Sequence, residues 1–127
     1  MIMNNNSIVI STGLFDLLKD HIRRRKLSKY NQEKLELELR NATQILNKDI
    51  PKNVVTVNTR VRIKALETGE EVTHTLVAPT KARNKHNTLS ILSPIGVAII
   101  GYAEGAEVCW EMEAGVKNYR IEQVTRF

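Results

Sequence analysis

Leu89-Ser90-Ile91-Leu92-Ser93-Pro94-Ile95-Gly96-Val97-Ala98-Ile99-Ile100-Gly101 decides how this chain folds. A short apolar strand, Leu89–Leu92, runs into Ser-Pro, then one apolar helical turn, then a glycine stop. Ser93 is placed to accept a hydrogen bond from a free N–H as helix N-cap, and Pro94 suits the first helical position, where its missing N–H costs nothing. Gly101 suits the residue past the helix end, where positive φ is cheap for glycine. The unit sets a Ser-Pro corner at the end of a sheet, where a second protein can read it.

Outward from this unit the period is two. Val55, Val57, Val61 and Ile63 face one way, and Thr56, Asn58, Arg60, Arg62 and Lys64 the other. Glu67-Thr68-Gly69-Glu70 is a turn into a second strand over Val72–Ala78, and the polar, basic stretch Pro79–Asn87 is a loop. Ala103–Ala106 turns the chain again. Val108, Trp110 and Met112 alternate, Ala114-Gly115 turns, and Tyr119, Ile121 and Val124 alternate once more. Before Pro51 the spacing is helical. Leu14, Leu17, Leu18 and Ile22 recur at three and four, with Thr12 as N-cap. Leu27–Asn31 is a connection, and Leu35, Leu39, Ala42 and Leu46 form the seam of a second helix. The pattern predicts an α+β chain. Residues 1–50 form a two-helix appendage, a short coiled-coil hairpin. Residues 51–127 form a strongly curved, mostly antiparallel sheet of four or five strands with one short helix.

Composition narrows the function. At 127 residues, 42% hydrophobic and 26% charged, the chain has ordinary globular make-up. It has no apolar run near the roughly 20 residues of a membrane helix. Met1–Asn6 is polar with no signal pattern behind it, so a cytoplasmic protein without a membrane partner is expected. The lone Cys109 cannot form an internal disulfide and, beside Trp110, reads as packing. His21, His74 and His86 fall on a helix, a strand and a loop, with no cysteine or carboxylate at metal-ligand spacing. Ser90 and Ser93 lack a nucleophile elbow, and no glycine loop precedes a Lys-Ser/Thr pair. No catalytic residue, metal or cofactor is expected, and the chain is expected not to be an enzyme.

The net charge is +5. Residues 1–50 carry nine Lys/Arg against six Asp/Glu and residues 51–127 ten against eight, so neither half holds the excess. Its local maximum is Arg23-Arg24-Arg25-Lys26. Cations at a helix C-terminus are satisfied by the dipole and by solvent. The same four serve equally for electrostatic contact with nucleic acid or an acidic protein surface. With two Phe, three Tyr and one Trp, base stacking on single strands is disfavoured.

Taken together, the chain resembles the Gre-factor C-terminal domain superfamily and, within it, the family of regulators of nucleoside diphosphate kinase. The matching runs are Pro51–Val61, Thr68-Gly69-Glu70, Thr75–Pro79, Leu89–Gly101 and Gly105–Trp110, with Glu38-Leu39-Arg40 and Ala42 fitting the end of the second helix. The resemblance covers about residues 35–125. It implies an FKBP-like C-terminal fold and binding to bacterial RNA polymerase at the rim of its secondary channel. It also implies docking through the loop matching Leu92, Ser93 and Pro94, with Ile95 and Gly96 adjacent. Gre factors add a long coiled coil whose acidic tip holds a metal ion in the polymerase active centre and promotes cleavage of backtracked RNA.

This chain departs from that pattern at the tip. Between Asp20 and Glu33 there is no acidic residue, and Arg23, Arg24, Arg25, Lys26 and Lys29 occupy the position. Carboxylates hold Mg²⁺; cations repel it. Helices of about 15 residues reach roughly 22 Å, less than a full Gre arm. Gly105-Ala106-Glu107 replaces the usual Gly-Asp turn. The expectation is a non-catalytic polymerase-binding regulator that competes with Gre factors, with nucleic acid a further contact inside transcription complexes. A Gre-like cleavage stimulator and an FKBP-type prolyl isomerase are the alternatives. The first wants an acidic tip, and the second a cleft lined by several aromatics.

Overall fold

In the computed structural model, residues 7–83 and 88–127 are described. His86 and the polar Met1–Asn6 lie outside them. The elements run β1 (Val9–Ser11), α1 (Thr12–Arg23), α2 (Lys29–Arg40), β2 (Thr43–Ile45), β3 (Thr59–Ala65), β4 (Glu71–Val77), β5 (Thr88–Ser90), α3 (Pro94–Ile99), β6 (Glu107–Met112) and β7 (Gly115–Arg126). Five strands form one sheet in the order β5-β4-β3-β7-β6, antiparallel except for the parallel β4–β5 pair. The α+β expectation of a curved, mostly antiparallel sheet of four or five strands with one short helix is met, with five strands.

The alternation works as read. Val61 and Ile63 are buried while Arg60 and Arg62 of the same strand are exposed. Along β3 and β7 the pairing goes from Arg62–Gln123 to Ile63–Ile121, leaving Glu122 as an extra residue. Such a bulge bends the strand and increases its twist, which curls the sheet around α3. Val55 does not belong to this strand. It is fully buried ahead of β3, and its carbonyl accepts from Gly101 N at 2.9 Å.

The Ser-Pro helix has the anatomy its sequence announces. Ser93 Oγ accepts from Gly96 N at 3.3 Å, Pro94 opens the helix, and Gly101 takes φ +85° just beyond it. Gly101 does more than stop a helix. A Cβ there would lie 2.7 Å from Ile8 Cβ, because the N-terminal segment passes directly over it and Val9 N donates to Gly101 O at 3.0 Å.

The N-terminal half differs from its sequence reading in three places. The N-cap of α1 is Ser11, not Thr12, and it accepts from Leu14 N at 3.2 Å. The second helix begins at Lys29, capped by Ser28, so the expected Leu27–Asn31 connection is half helix. That helix also stops at Arg40. Ala42 and Leu46 lie beyond it, and Leu46 is 63% exposed rather than part of a seam. The physical reason is capture: Thr43 N donates to Ile8 O at 2.9 Å, and Thr43–Ile45 pair in parallel with Val9–Ser11. A strand pairing across more than 30 residues outcompetes helical propagation through Asn41 and the β-branched Thr43.

Leu14 and Leu18 of α1 and Leu35 and Leu39 of α2 bury into the same apolar cluster as Val61, Leu76, Ile99, Trp110 and Ile121. The helices therefore lie on the core. Burying each such leucine is worth about 1.5–3 kcal/mol, so the hairpin is held along its length.

Candidate functional site

The Ser-Pro loop is built from local hydrogen bonds. Ser90 Oγ accepts from Leu92 N at 2.9 Å, Ser90 O from Ser93 N at 2.9 Å, and Ser93 O from Val97 N at 2.9 Å. This stiff turn leaves Pro94 exposed and Leu92, Ser93 and Ile95 partly exposed, with Gly96 buried beneath them. A Cβ on Gly96 would sit 2.7 Å from Ile91 O and 2.8 Å from Ser90 O. Glycine is required because α3 lies directly against the backbone at the end of β5.

The basic residues Arg23, Arg24, Arg25, Lys26 and Lys29 are all exposed at the turn of the hairpin. Arg25 adopts φ +55°, the left-handed conformation usual for glycine after a helix, and turns the chain sharply toward Leu27. Asp20 is engaged by Arg24 Nε at 2.8 Å and by Arg23 Nη1 at 3.5 Å.

Nothing in the sequence makes this turn and the Ser-Pro loop neighbours; the fold does. They share a groove of about 870 Å³, with Lys26, Leu27 and Ser28 on the hairpin side and Leu92, Pro94 and Val97 on the other. Glu111, Met112 and Glu113, at the end of β6, close it. A second hollow of about 540 Å³ lies between Arg24, Lys26 and His21 on one side and Pro79, Thr80 and Leu92 on the other. The five cations do not border one hollow. Arg24 and Lys26 face these hollows, while Arg23, Arg25 and Lys29 border a separate depression with Glu33 and Glu36. The loop is divided as well, since Ile95 lines a hollow of about 390 Å³ on the sheet with Val72, His74 and the single aromatic Tyr119.

His21 is buried at the base of the groove. Burial, then Lys26 and Arg24, hold its imidazole below the ordinary value, against an upward pull from Asp20. His74 is also held low, by burial. Among the described residues no cluster of His, Cys, Asp or Glu is arranged to hold a metal.

Three attachments hold the hairpin in this position, none of them visible as a motif. Asn31 exchanges two hydrogen bonds with the backbone of Glu111: its Nδ2 donates to Glu111 O at 2.9 Å, and Glu111 N donates to its Oδ1 at 2.8 Å. The amide thereby stands in for a neighbouring strand on the outer side of β6, the end of the sheet. Cys109, read as packing, is half-buried, with Sγ 3.3 Å from the Tyr30 hydroxyl. That bond first, and burial second, push the Tyr30 hydroxyl up to about 12. Deeper in, Glu38 is 2% exposed and bonded to both Lys34 Nζ and the Tyr102 hydroxyl. Burial pushes its carboxyl up, outweighing the downward pull of Lys34 and Tyr102. Lys34 also lies over the rings of Tyr102 and Trp110, at 5.3 and 5.5 Å from their centroids. The available signal was Lys34 and Glu38 at i,i+4 beside Leu35 and Leu39, charges on a face that otherwise buries.

With this geometry in view, the profile of the transcription elongation factor GreA/GreB C-terminal region matches residues 50–126. The chain belongs to the GreA/GreB C-terminal family. The match bears out the resemblance carried by Pro51–Val61 and the Ser-Pro unit. The regulator of nucleoside diphosphate kinase of Escherichia coli (strain K12) is 35% identical to this GreA/GreB family member over 85 residues, covering 67% of this chain and 62% of that protein. GreA of Syntrophomonas wolfei is 35% identical over 92 residues, covering 72% of this chain and 58% of that protein. The chain thus spans less than two thirds of the length of these relatives. Among solved structures, a GreA/GreB elongation factor from Nitrosomonas europaea aligns at 35% identity with a TM-score of 0.64, covering 94% of this chain and 98% of that one. Gfh1 of Thermus aquaticus shares the fold, at 15% identity and a TM-score of 0.53. No helix is long and apolar enough to cross a membrane among the described residues.

Proposed function

We propose that this chain is a non-catalytic transcription regulator that docks on bacterial RNA polymerase. It binds at the rim of the secondary channel through Leu92–Gly96, competes there with Gre factors, and does not stimulate transcript cleavage. Membership of the GreA/GreB family supports the partner. The observation that carries the absence of cleavage is the state of the hairpin end. Asp20, the last carboxylate before the turn, is taken up by Arg23 and Arg24, the turn itself carries five exposed cations, and Glu33 and Glu36 share their depression with Arg23, Arg25 and Lys29. A divalent cation needs free carboxylate oxygens, and this end offers it a positive field. The helices add a second constraint. At 12 residues each they are about 18 Å long, shorter than the 22 Å the sequence led us to expect.

Co-purification with core polymerase, followed by competition with a Gre factor, tests the docking. Wild-type protein is expected to be retained and to be displaced by the Gre factor. The combined Ser93→Asp and Pro94→Ala variant, checked for an unchanged melting temperature, is expected to lose retention. Retention of that variant at wild-type level refutes the docking loop. Stimulated RNA cleavage in stalled complexes would establish the Gre-like alternative. Turnover of a proline peptide would establish the isomerase, a reading disfavoured by the one aromatic in the sheet hollow.

A further inference from the structure

We propose that the groove between the hairpin turn and the Ser-Pro loop is a preformed clamp for an amphipathic segment of a partner protein. That segment presents an apolar ridge to Leu27, Leu92 and Met112, an acidic edge to Lys26 and a basic edge to Glu111 and Glu113. The inference rests on the docking reading above and assigns to it a second wall, supplied by the hairpin.

Charge is the first argument. Lys26 stands on the hairpin side of the groove, and Glu111 and Glu113 stand where the end of β6 closes it. Among the described residues none of the three has an ion-pair partner, although seven other pairs form, six of them on the surface. Opposite charges that line one groove without pairing are complementary to a segment that carries the reverse pair.

Rigidity is the second. The hairpin wall is tied down by Asn31 to the backbone of Glu111, which closes the groove. It is tied again by Tyr30 to Cys109 and by Glu38 to Tyr102. The opposite wall is the hydrogen-bonded Ser-Pro turn. A groove with both walls fixed binds without paying to order them. An amphipathic helix seated in an apolar groove with charged rims is a recurring mode of protein recognition. A partner resting on Pro94 therefore meets the hairpin turn, which in this chain works as a wall of the docking surface.

The probe is core RNA polymerase free of nucleic acid, titrated with the full chain at fixed ionic strength. Lys26→Glu and Glu113→Lys are each expected to weaken binding by about tenfold or more, the scale of close charge pairs at interfaces. Arg25→Glu changes the net charge as much as Lys26→Glu but borders the other depression, so it is expected to alter affinity less than about twofold. Melting temperatures of all three are checked against wild type. If Lys26→Glu and Glu113→Lys bind like wild type while the Ser93→Asp, Pro94→Ala variant does not, the clamp is wrong and the docking loop stands. If Arg25→Glu and Lys26→Glu weaken binding equally, the contact is diffuse charge and the clamp is wrong. If wild type does not bind, the docking reading fails and the clamp falls with it.

Discussion

Replacing Glu38 by alanine should cost far more than an ordinary helical Glu→Ala change, and the structure sets the size. The carboxylate is 2% exposed and serves both Lys34 and Tyr102. Removing it leaves the Lys34 ammonium, whose side chain is 12% exposed, without its counter-ion and the Tyr102 hydroxyl without its acceptor. Breaking one side of a buried pair costs about 3–5 kcal/mol. The rings of Tyr102 and Trp110 lie under Lys34 in both proteins and so do not offset this, and a loss of about 3–5 kcal/mol is expected. Replacing the whole polar set with apolar residues, as Lys34→Met, Glu38→Leu and Tyr102→Phe together, should come back to within about 1 kcal/mol of wild type, because no charge or hydroxyl is then stranded. Urea unfolding followed by the fluorescence of Trp110, the single tryptophan and itself 1% exposed, measures both. A loss under about 1 kcal/mol for Glu38→Ala, or a triple variant no more stable than Glu38→Ala alone, would refute the buried-pair account. Because the Tyr102–Glu38 bond ties α2 to the segment that follows α3, the same Glu38→Ala protein should also bind polymerase more weakly.

Two further outcomes test other parts of the structure. Gly96→Ala must lift α3 by about 0.7 Å to bring a 2.7 Å approach out to ordinary 3.4 Å contact. The neighbours are backbone atoms with no room to yield, so about 1–3 kcal/mol should be lost in the same urea experiment; a change within 0.5 kcal/mol would show that the loop is more pliable than its hydrogen bonds imply. The second concerns pH. His21 is held low in the fold, so between its folded and unfolded values the unfolded chain binds more protons. Its contribution to stability is full above about pH 6.5 and is lost as pH falls through the folded value. Glu38, pushed up by burial, acts oppositely: its contribution is full below about pH 4.5 and is lost as pH rises through the folded value. Melting temperatures of wild type and His21→Gln should therefore converge as pH drops from 7.5 to 5.5, and parallel curves would refute the assignment.

The sequence by itself determined much of what depends on near neighbours. Ser93, Pro94 and Gly101 mark a helix through capping geometry that spans only a few residues. The alternation through Val61 and Ile63, and through Val108 and Trp110, encodes which face of each strand is buried, because side chains on a strand alternate whatever else the chain does. The family could be read for the same reason, since its runs are these local units in a fixed order. Tertiary structure decided the rest. Leu46 looked like the end of a helical seam, but Thr43 was taken by Ile8 into a strand. Asn31 reads as an ordinary polar residue and becomes the cap of β6 only because Glu111, 80 residues away, arrives beside it. Glu38 finds Tyr102 across 64 residues. No local period carries such pairings; they form when separate apolar faces bury together and polar groups swept inside must find partners. The groove between Lys26 and Pro94 is a product of that burial. Its two walls were legible as a basic turn and a Ser-Pro loop, and only packing made them face each other.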